Sequence, residues 1–384
     1  MPEVGLQYSK MNPEARTATI QRAADGLLDH QCVVMPTDTL YGLFARADDQ
    51  GAGLLDSITG NPEVDGQPRM TLHVADLDVI LEHLVLEAAT VRRLVHRLLP
   101  GPSRLVIEQP EHAIAALCQS LSIPRGVIDD GTHIAIRIPD HPVCRQVIRN
   151  SGAACIARRL GAASWAQGEN PGVDIGPIPI SFESGEVPTP GIIIDDGPTL
   201  HQKGSTTITL SINGRIEVSE YGVLTERDVL NELERTILFV CTGNTCRSPM
   251  ALAIARQLFN DQEREGITTH IDSAGVAAST NIPATKHAIE VIKRMGVDAG
   301  FGLEDHQSKL LTLEMIDNAE VIYTMTPSHA QGVMTMAPNS VHKVFVLDEI
   351  QGVPDPIGQE IEVYQHTADR LKELINQRFQ EIRI

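Results

Sequence analysis

The chain is poor in cysteine, has no excess of basic residues and contains no long apolar run, and each absence excludes a class of protein. Its six cysteines are too few for a disulfide scaffold in 384 residues, and none forms the Cys-x-x-Cys pair of a zinc ribbon, so we expect no metal site. No stretch approaches about 18 uninterrupted apolar residues, and the amino terminus lacks a basic run followed by an apolar core. We therefore expect a cytoplasmic protein that neither inserts into a membrane nor is exported.

Acidic residues outnumber basic ones by 50 to 31, which gives a formal net charge of −19. Binding along a nucleic acid requires many lysines and arginines that neutralise phosphates. The charge balance therefore argues against extended nucleic-acid binding, although it allows a local pocket for a nucleotide.

A length of 384 residues exceeds what one hydrophobic core usually organises, so the sequence predicts two domains. In the first half, short runs rich in Val and Ile and bounded by Gly, Pro or Asp predict strands, and longer patterns predict helices, most clearly over 86–99. The predicted strands cover residues 32–35, 104–107, 134–138, 191–194 and 206–210. This mixed α/β domain is expected to end near Gly222, with a helical linker over residues 223–234.

The second half alternates between strand and helix patterns. The predicted strands cover residues 236–240, 319–325 and 342–347, and the predicted helices cover 249–259, 284–295 and 312–317. Such alternation predicts a doubly wound parallel sheet with ligands beyond the carboxyl ends of its strands. Cys241 falls at that position.

The loop that begins at Cys241 reads Cys-Thr-Gly-Asn-Thr-Cys-Arg-Ser and lies between a predicted buried strand and a helix amino terminus. Its backbone amides can converge on a tetrahedral anion, with help from the positive end of the helix dipole. The same amides and Arg247 favour a thiolate on Cys241, which can attack phosphorus. We therefore predict a phosphoenzyme on Cys241. Cys246 is either a small buried residue or the partner of Cys241 in a protective disulfide under oxidation.

Other residues of this pattern supply the remaining chemistry. Arg247 offers a planar fork of donors for two phosphoryl oxygens. Asn244 tolerates the left-handed backbone of a tight loop, and Ser248 can donate its hydroxyl toward the sulfur. The leaving group needs a proton, and Asp355, on a proline-stiffened segment, is the predicted general acid.

Residues 235–384 resemble the low-molecular-weight protein-tyrosine phosphatases. The resemblance is carried by the Cys241 loop with the following Pro-Met-Ala, by Ser273-Ala274-Gly275, by His306-x-Ser308 and by Asp355-Pro356. It implies that Cys241 is the nucleophile, that Arg247 binds phosphate, that Asp355 acts as acid and then base, that no cofactor is needed and that the partner is a phosphorylated protein. It also implies a phosphate-binding and supporting set: Thr242, Gly243, Asn244, Thr245, Cys246, Ser248, Ser273 and His306.

Thr245 bears on the choice of substrate. Many tyrosine-specific members carry a branched apolar residue at this position, whereas the loop of this chain looks like that of bacterial protein-arginine phosphatases. Ile357-Gly358 follow Asp355-Pro356, where tyrosine enzymes commonly place aromatic residues. The resemblance therefore implies phosphoarginine as the leading substrate, with phosphotyrosine and small phosphomonoesters as alternatives.

Residues 15–222 resemble the threonylcarbamoyl-AMP synthases (YrdC-like family), which make an adenylate from threonine, bicarbonate and ATP for modification of transfer RNA. The resemblance is carried by the string Pro-Thr-Asp-Thr-Leu-Tyr-Gly-Leu at 36–43 together with motifs at 100–102, 137–142, 195–197 and 204–207. It implies a pocket for a nucleotide or threonine-like ligand that includes Thr37, Thr39, Tyr41, Arg137, Ser205 and Thr206.

Two departures weaken the synthase expectation. Where that family has Lys-x-Arg-Pro, this chain has Thr-Gly-Asn-Pro at 59–62, which removes two charge-assisted contacts to phosphate, each worth about 1.5 to 3 kcal/mol. The Ser-x-Asn segment is replaced by residues 156–161, whose Arg158 and Arg159 either substitute for the lost charge or are solvated. We therefore expect a phosphatase with a ligand-sensing or recruiting amino-terminal domain. The alternative is a bifunctional tyrosine phosphatase and threonylcarbamoyl-adenylate synthase that acts in the t6A modification of transfer RNA and uses ATP, threonine and bicarbonate.

Overall fold

The computed structural model describes residues 8–59, 68–160, 191–260 and 266–381. Contacts divide the chain into two compact units, Met1–Glu232 and Leu233–Ile384. Of the helices in the described ranges, none combines the length and the apolarity that crossing a membrane would require.

In the described part of the first unit, nine strands form one mixed sheet in the order β7-β1-β2-β6-β3-β5-β4-β8-β9. These strands are β1 (Val33–Pro36), β2 (Tyr41–Arg46), β3 (Leu72–His73), β4 (Ser103–Glu108), β5 (His133–Arg137), β6 (Cys155–Arg159), β7 (Ile192–Ile193), β8 (Thr206–Leu210) and β9 (Ile216–Glu220). The helices are α1 (Pro13–Leu28), α2 (Asp49–Thr59), α3 (Asp78–Leu81), α4 (Ala89–Leu98), α5 (Glu111–Ser120), α6 (Pro142–Ser151) and α7 (Glu226–Asn231).

A hairpin between β1 and β2 presents the polar turn of this unit. Pro36 pairs with Tyr41 at the end of the two antiparallel strands. Thr37 closes the turn, because its amide and its hydroxyl both donate to the carbonyl of Leu40, at 3.2 Å and 2.6 Å. The turn thereby buries three polar side chains at the end of the sheet, those of Thr37, Asp38 and Thr39.

The second unit has a four-stranded parallel sheet in the order β11-β10-β12-β13 within the described residues. Its strands are β10 (Glu234–Cys241), β11 (Thr268–Gly275), β12 (Val321–Thr324) and β13 (Val344–Val346). Its helices are α8 (Arg247–Asn260), α9 (Lys286–Arg294), α10 (Leu313–Asn318), α11 (Pro327–Met336) and α12 (Ile361–Glu381).

Strand β10 is buried on both faces because its side chains alternate between two hydrophobic clusters. Ile237 and Phe239 lie in a cluster with α8, α9 and α12, and Leu238 and Val240 lie in a cluster with α10 and α11. The fold class predicted from the sequence, two α/β domains of which the second is a doubly wound parallel sheet, is confirmed. Because the strands are parallel, Cys241 and its register partner Gly275 share one edge with the end of β12.

Several predicted bounds differ from the observed ones, and contacts or neighbouring elements give the reason in the following two. The helix predicted over 86–99 begins at Ala89, because the carbonyls of Leu86 and Glu87 accept hydrogen bonds from the Arg92 guanidinium, both at 2.7 Å. The strand predicted over 342–347 is confined to β13, because Pro338–Lys343 forms a 3-10 helix.

Candidate active site

Cys241 ends β10, and α8 begins six residues later at Arg247, so the loop spans the gap between a buried strand and a helix amino terminus. The thiol is only 3% exposed. Its sulfur lies 2.9 Å from the hydroxyl of Ser248 and accepts the backbone N–H of Asn244 at 3.2 Å. Both contacts stabilise a thiolate, because a hydroxyl and an amide can each donate to negative sulfur.

Asn244 connects the loop to the rest of the unit. Its φ of 53° lies in the left-handed region, and its side chain is fully buried. The side-chain amide donates to the hydroxyls of Ser248 and Ser273, both at 2.9 Å, and its oxygen accepts the backbone N–H of Lys309 at 2.8 Å. The carbonyl of Asn244 lies 2.9 Å from His306 Nε2. The structure thus brings the predicted supporting residues Asn244, Ser248, Ser273 and His306 into one network.

The hydrogen bond between His306 and Asn244 is part-buried, and the histidine itself is half-buried. Burial lowers the pKa of His306, while the hydrogen bond to the Asn244 carbonyl opposes that shift. The imidazole therefore favours its neutral form, and its Nε2–H can donate to the carbonyl.

Arg247 joins the loop to the segment that carries Asp355. Its Nη1 donates to the carbonyl of Val353 at 3.1 Å, and its Nη2 forms a close ion pair with Asp355. The Arg247 side chain is 6% exposed, and its Nε is buried without a hydrogen-bond partner among the described residues. Asp355, by contrast, is 38% exposed. A buried fork with a free donor next to a half-exposed carboxyl is suited to holding a phosphoryl group beside a proton donor.

Thr245 and Cys246 directly precede Arg247 in the loop, and their surroundings differ from each other. Thr245 is partly exposed, and its hydroxyl lies 3.8 Å from Cys246 Sγ. Cys246 is buried, with its sulfur 3.4 Å from the hydroxyl of Tyr364 and 3.6 Å from that of Thr285. Burial raises the pKa of Tyr364 to about 12, and the contact with Cys246 acts in the same direction. In the described structure all six cysteines are free thiols, so Cys241 and Cys246 are not bridged.

One residue beside the loop was not identified from the sequence. His329, on α11, lies with its Nε2 2.8 Å from the hydroxyl of Thr242 and its Nδ1 2.7 Å from that of Thr326. The available signal was its position. Thr326-Pro327-Ser328-His329 follows β12 after one residue, Met325, and the ends of parallel strands meet at one edge.

The first unit contains a buried polar cluster at the β1–β2 turn. Arg137, at the end of β5, donates through Nη2 to Asp38 at 2.8 Å, to Thr39 at 2.6 Å and to Thr37 at 3.4 Å. Arg137 Nε and Asp38 Oδ2 are buried without hydrogen-bond partners among the described residues. Three of the predicted pocket residues, Thr37, Thr39 and Arg137, are therefore in contact.

The other predicted pocket residues have different positions. The hydroxyl of Tyr41 donates to Asp195 Oδ1 at 3.0 Å or to the Gly197 carbonyl at 2.7 Å, and so fixes the loop beside the turn. The hydroxyl of Thr206 bonds to the backbone of Leu224 at 2.8 Å, and Ser205 is partly exposed next to it. Neither Tyr41 nor Thr206 contacts Arg137 through a hydrogen bond in the described structure.

Arg158 and Arg159, the two cations at the position of the Ser-x-Asn segment, each form an ion pair with a carboxylate. Arg158 Nη2 lies 3.0 Å from Asp56, and Arg159 Nη1 lies 2.7 Å from Glu220. Residues 60–62 of the Thr-Gly-Asn-Pro segment lie outside the described residues, as does Gly161. Within the described ranges, no three His, Cys, Asp or Glu side chains come together as a metal site.

A parallel α/β sheet, a cysteine at the end of a central strand and an arginine at the start of the following helix form the arrangement that the sequence predicts for a cysteine-dependent phosphatase. The chain belongs to the family described as low molecular weight phosphotyrosine protein phosphatase, whose model matches residues 236–383, and to the Sua5/YciO/YrdC family, described as telomere recombination, whose model matches residues 26–222. The first of these families consists of cysteine phosphatases that need no cofactor.

The relatives that match the second unit carry several names. A protein-arginine-phosphatase of Bacillus subtilis is 40% identical over 146 residues, which cover 37% of this chain and 92% of the relative. A protein of the same name from Geobacillus stearothermophilus is 39% identical over 36% of this chain and 90% of its own length. An arsenate reductase of Bacillus cereus is 32% identical over 39% of this chain and 98% of its own length.

Solved structures also match this unit. A mutant of YwlE from Bacillus subtilis is 37% identical, covers 39% of this chain and 99% of its own, and has a TM-score of 0.35. A low molecular weight protein tyrosine phosphatase from T. tengcongensis is 35% identical, with coverages of 38% and 99% and a TM-score of 0.35.

Proposed function

We propose that the second unit hydrolyses phosphoarginine in proteins through a phosphocysteine on Cys241. The observation that carries the proposal is the environment of this thiol. Its sulfur is contacted by Ser248 and the Asn244 amide, beside a buried arginine whose Nε has no hydrogen-bond partner among the described residues. A thiolate held in this way can attack phosphorus without a neighbouring base.

The reaction has two steps. The Cys241 thiolate forms an S–P bond as the P–N bond to the arginine side chain breaks, and Asp355 gives its proton to the departing guanidine nitrogen. Water then attacks the phosphocysteine, Asp355 takes a proton from that water, and the thiolate is released with inorganic phosphate. Arg247 follows the phosphoryl oxygens in both steps, because its fork can contact two of them as charge redistributes.

Thr245 supports phosphoarginine as the substrate. Its side chain is small, polar and partly exposed. A hydroxyl at this position can accept a hydrogen bond from a guanidinium, whereas an aryl ring gains nothing from it. The two relatives named protein-arginine-phosphatase, at 40% and 39% identity, are consistent with this choice.

Arsenate reduction is less well supported by the cysteines of this unit. Reduction of arsenate to arsenite takes two electrons, which thiols supply by forming a disulfide. The second thiol after Leu233 is Cys246, and its sulfur is in contact with Tyr364 and Thr285 rather than with Cys241. We therefore propose hydrolysis.

A matched pair of cysteine variants tests the chemistry. In Cys241→Ser, turnover of phosphoarginine peptides should disappear, because a serine hydroxyl is not ionised near neutral pH. In Cys246→Ser, turnover should persist, because the sulfur of Cys246 faces Tyr364. Residual turnover in Cys241→Ser would exclude the phosphocysteine route.

A change at Thr245 tests the specificity. Thr245→Ile should raise the preference for phosphotyrosine over phosphoarginine peptides by at least about tenfold, since one lost polar contact to a charged group is worth about 1.5 kcal/mol or more. Thr285→Ser serves as the control, because it changes a neighbouring hydroxyl that contacts Cys246. An unchanged ratio of kcat/KM in Thr245→Ile would remove Thr245 from the account of specificity.

For the first unit, we propose a ligand-binding module that senses or recruits. The buried cluster of Arg137, Thr37 and Thr39 supports it, because Arg137 Nε and Asp38 Oδ2 have no hydrogen-bond partner among the described residues, and a small ligand with both a cation and an anion could supply both. Threonine is such a ligand. Added threonine should raise the melting temperature of the wild type but not that of Arg137→Gln. If threonine leaves the melting temperature of both proteins unchanged, the proposal of a threonine-like ligand is contradicted.

The bifunctional alternative is favoured by the match of residues 26–222 to the Sua5/YciO/YrdC family. It predicts stoichiometric release of pyrophosphate from ATP in the presence of threonine and bicarbonate. We expect little release, because two phosphate-binding cations of that family are replaced at 59–62.

A further inference from the structure

His329 is a buried histidine in the second unit that the proposed reaction does not use directly. It lies in the first turn of α11, is 5% exposed, and contacts one hydroxyl with each ring nitrogen, Thr242 through Nε2 at 2.8 Å and Thr326 through Nδ1 at 2.7 Å. Thr242 directly follows Cys241, so this imidazole reaches the first residue of the phosphate loop.

The Thr242 hydroxyl has a second contact, in which it acts as the acceptor. Arg247 Nη2 lies 3.4 Å from Thr242 Oγ1, and a guanidinium nitrogen can only donate. The hydroxyl accepts from Arg247 and has one proton left to donate. Among its partners in the described structure, His329 Nε2 is the one that can accept this proton, and it does so when it is unprotonated.

The tautomer follows from this assignment. A neutral imidazole with a bare Nε2 carries its proton on Nδ1, which donates to Thr326 Oγ1. Thr326 Oγ1 lies 2.8 Å from the hydroxyl of Ser328, so its own proton also has an acceptor. With the protons assigned in this way, donation runs in one direction from Arg247 through Thr242 and His329 to Thr326.

We propose that His329 is a positioning residue of the phosphatase, whose bare Nε2 orients the Thr242 hydroxyl so that its lone pair holds the Arg247 guanidinium in place. The inference rests on the proposed function of this unit. It assigns His329 no contact with the substrate.

The electrostatic surroundings agree with a neutral ring. Burial lowers the pKa of His329, the Arg247 charge lowers it further, and Asp355 opposes the shift. Thr242, Thr326 and Ser328, which contact the ring or its partner hydroxyl, are uncharged.

The tautomer is measured on the wild-type full chain by ¹⁵N–¹H correlation of the histidine rings near neutral pH, with His329→Gln used to assign the signal. The expected signal has its proton on Nδ1 and none on Nε2. A proton on Nε2 would overturn the proposal, and this result does not depend on any activity.

A double-mutant cycle on para-nitrophenyl phosphate tests the consequence. His329→Ala should lower kcat about tenfold with a smaller change in KM, because the lost hydrogen bond acts on a guanidinium whose contacts strengthen in the transition state. Thr242→Val should lower kcat similarly, and the double variant should be no slower than the slower single one. Multiplied losses in the double variant would overturn the proposal, since a purely structural role of His329 would be independent of Thr242.

Two further variants separate the possible outcomes. His329→Gln, whose side-chain oxygen can accept from Thr242, should recover most of the lost kcat, and His366→Ala, which removes an exposed histidine of α12, should have no effect. A His329→Gln variant as slow as His329→Ala would contradict the hydrogen-bond role. Failure of the proposed function itself would give a different result. Either the wild type would show no phosphatase activity, or Cys241→Ser would be as active as the wild type.

Discussion

At Arg247, one side chain makes contacts with three parts of the site. It reaches Thr242 in the loop, the Val353 carbonyl and the Asp355 carboxylate. A lysine would keep the charge but could not make these contacts together, because its ammonium is a point charge on a flexible stem.

Arg247→Lys should therefore lower kcat at least about 100-fold, the usual loss when one preorganised donor to a transition state is removed. Steady-state kinetics on an aryl phosphate measures the change. Arg294→Lys is the matched control, because Arg294 is half-exposed and pairs with Glu290 on the surface of α9. Equal kcat in Arg247→Lys and the control would show that the fork is not needed.

Asp355 gives a prediction that depends on the leaving group. The guanidine of arginine is a far stronger base than para-nitrophenolate, so its departure depends more on protonation. Asp355→Asn should thus slow phosphoarginine hydrolysis by at least about tenfold more than para-nitrophenyl phosphate hydrolysis, within the range of about 10² to 10⁴ that general acids contribute. Parallel losses on both substrates would indicate that Asp355 acts mainly through its ion pair with Arg247.

At the residue scale, the sequence predicts the members of the site that follow one another along the chain better than those that meet across the fold. The loop from Cys241 to Ser248 is contiguous, and Asp355 stands out between two prolines. His329 contacts Thr242 of the loop from 87 positions further along the chain. Thr285 contacts Cys246 from 39 positions further along. A lone histidine or threonine in the sequence carries no sign of such a contact. The catalytic roles remain predictions.

At the scale of elements, Gly275 ends β11 beside the loop at the end of β10. A Cβ at this position would overlap the carbonyl of Thr242 and lie 3.0 Å from the backbone nitrogen of Asn244. Both are backbone atoms that cannot move without distorting the phosphate loop.

Gly275→Ala should accordingly lower kcat/KM at least about tenfold and destabilise the unit by about 1 to 3 kcal/mol, as overpacking does. Activity and chemical denaturation together measure it. Gly300→Ala is the control, because a Cβ at Gly300 meets nothing within 4 Å. Full activity in Gly275→Ala would mean that the loop tolerates displacement from β11.

The element boundaries illustrate what local patterns miss. The strand predicted over 236–240 extends to Glu234–Cys241, because pairing with β11 continues from Glu234 to Cys241. The start of α4 was missed because Arg92 holds two carbonyls that precede the helix. Partners outside the segment decide such ends, so periodicity alone does not locate them.

For the whole molecule, buried histidines make the free energy of unfolding dependent on pH. His73, in β3, is 4% exposed, and burial lowers its pKa to about 3, with Arg137 acting in the same direction. The folded state thus keeps the ring neutral, whereas the unfolded chain takes up a proton below pH about 6.5. Stability is therefore lost as the pH falls from about 6.5 toward 3.

His73→Asn, which keeps a donor for the Thr71 carbonyl, should reduce the loss of unfolding free energy between pH 7 and pH 5 by about 2 kcal/mol, the linkage of one histidine over that interval. Denaturant titrations of both proteins at the two pH values measure the difference. An identical loss in the wild type and in His73→Asn would contradict a neutral buried His73.

The central claim for the whole chain is a phosphatase that prefers phosphoarginine. The most direct measurement is a competition in one tube between two peptides of the same sequence, one carrying phosphoarginine and the other phosphotyrosine, with both followed by mass spectrometry. The ratio of their first-order decay constants equals the ratio of kcat/KM. We predict that phosphoarginine disappears at least about tenfold faster, a difference of about 1.4 kcal/mol in transition-state binding. Equal decay of the two peptides, or faster loss of phosphotyrosine, would contradict this claim.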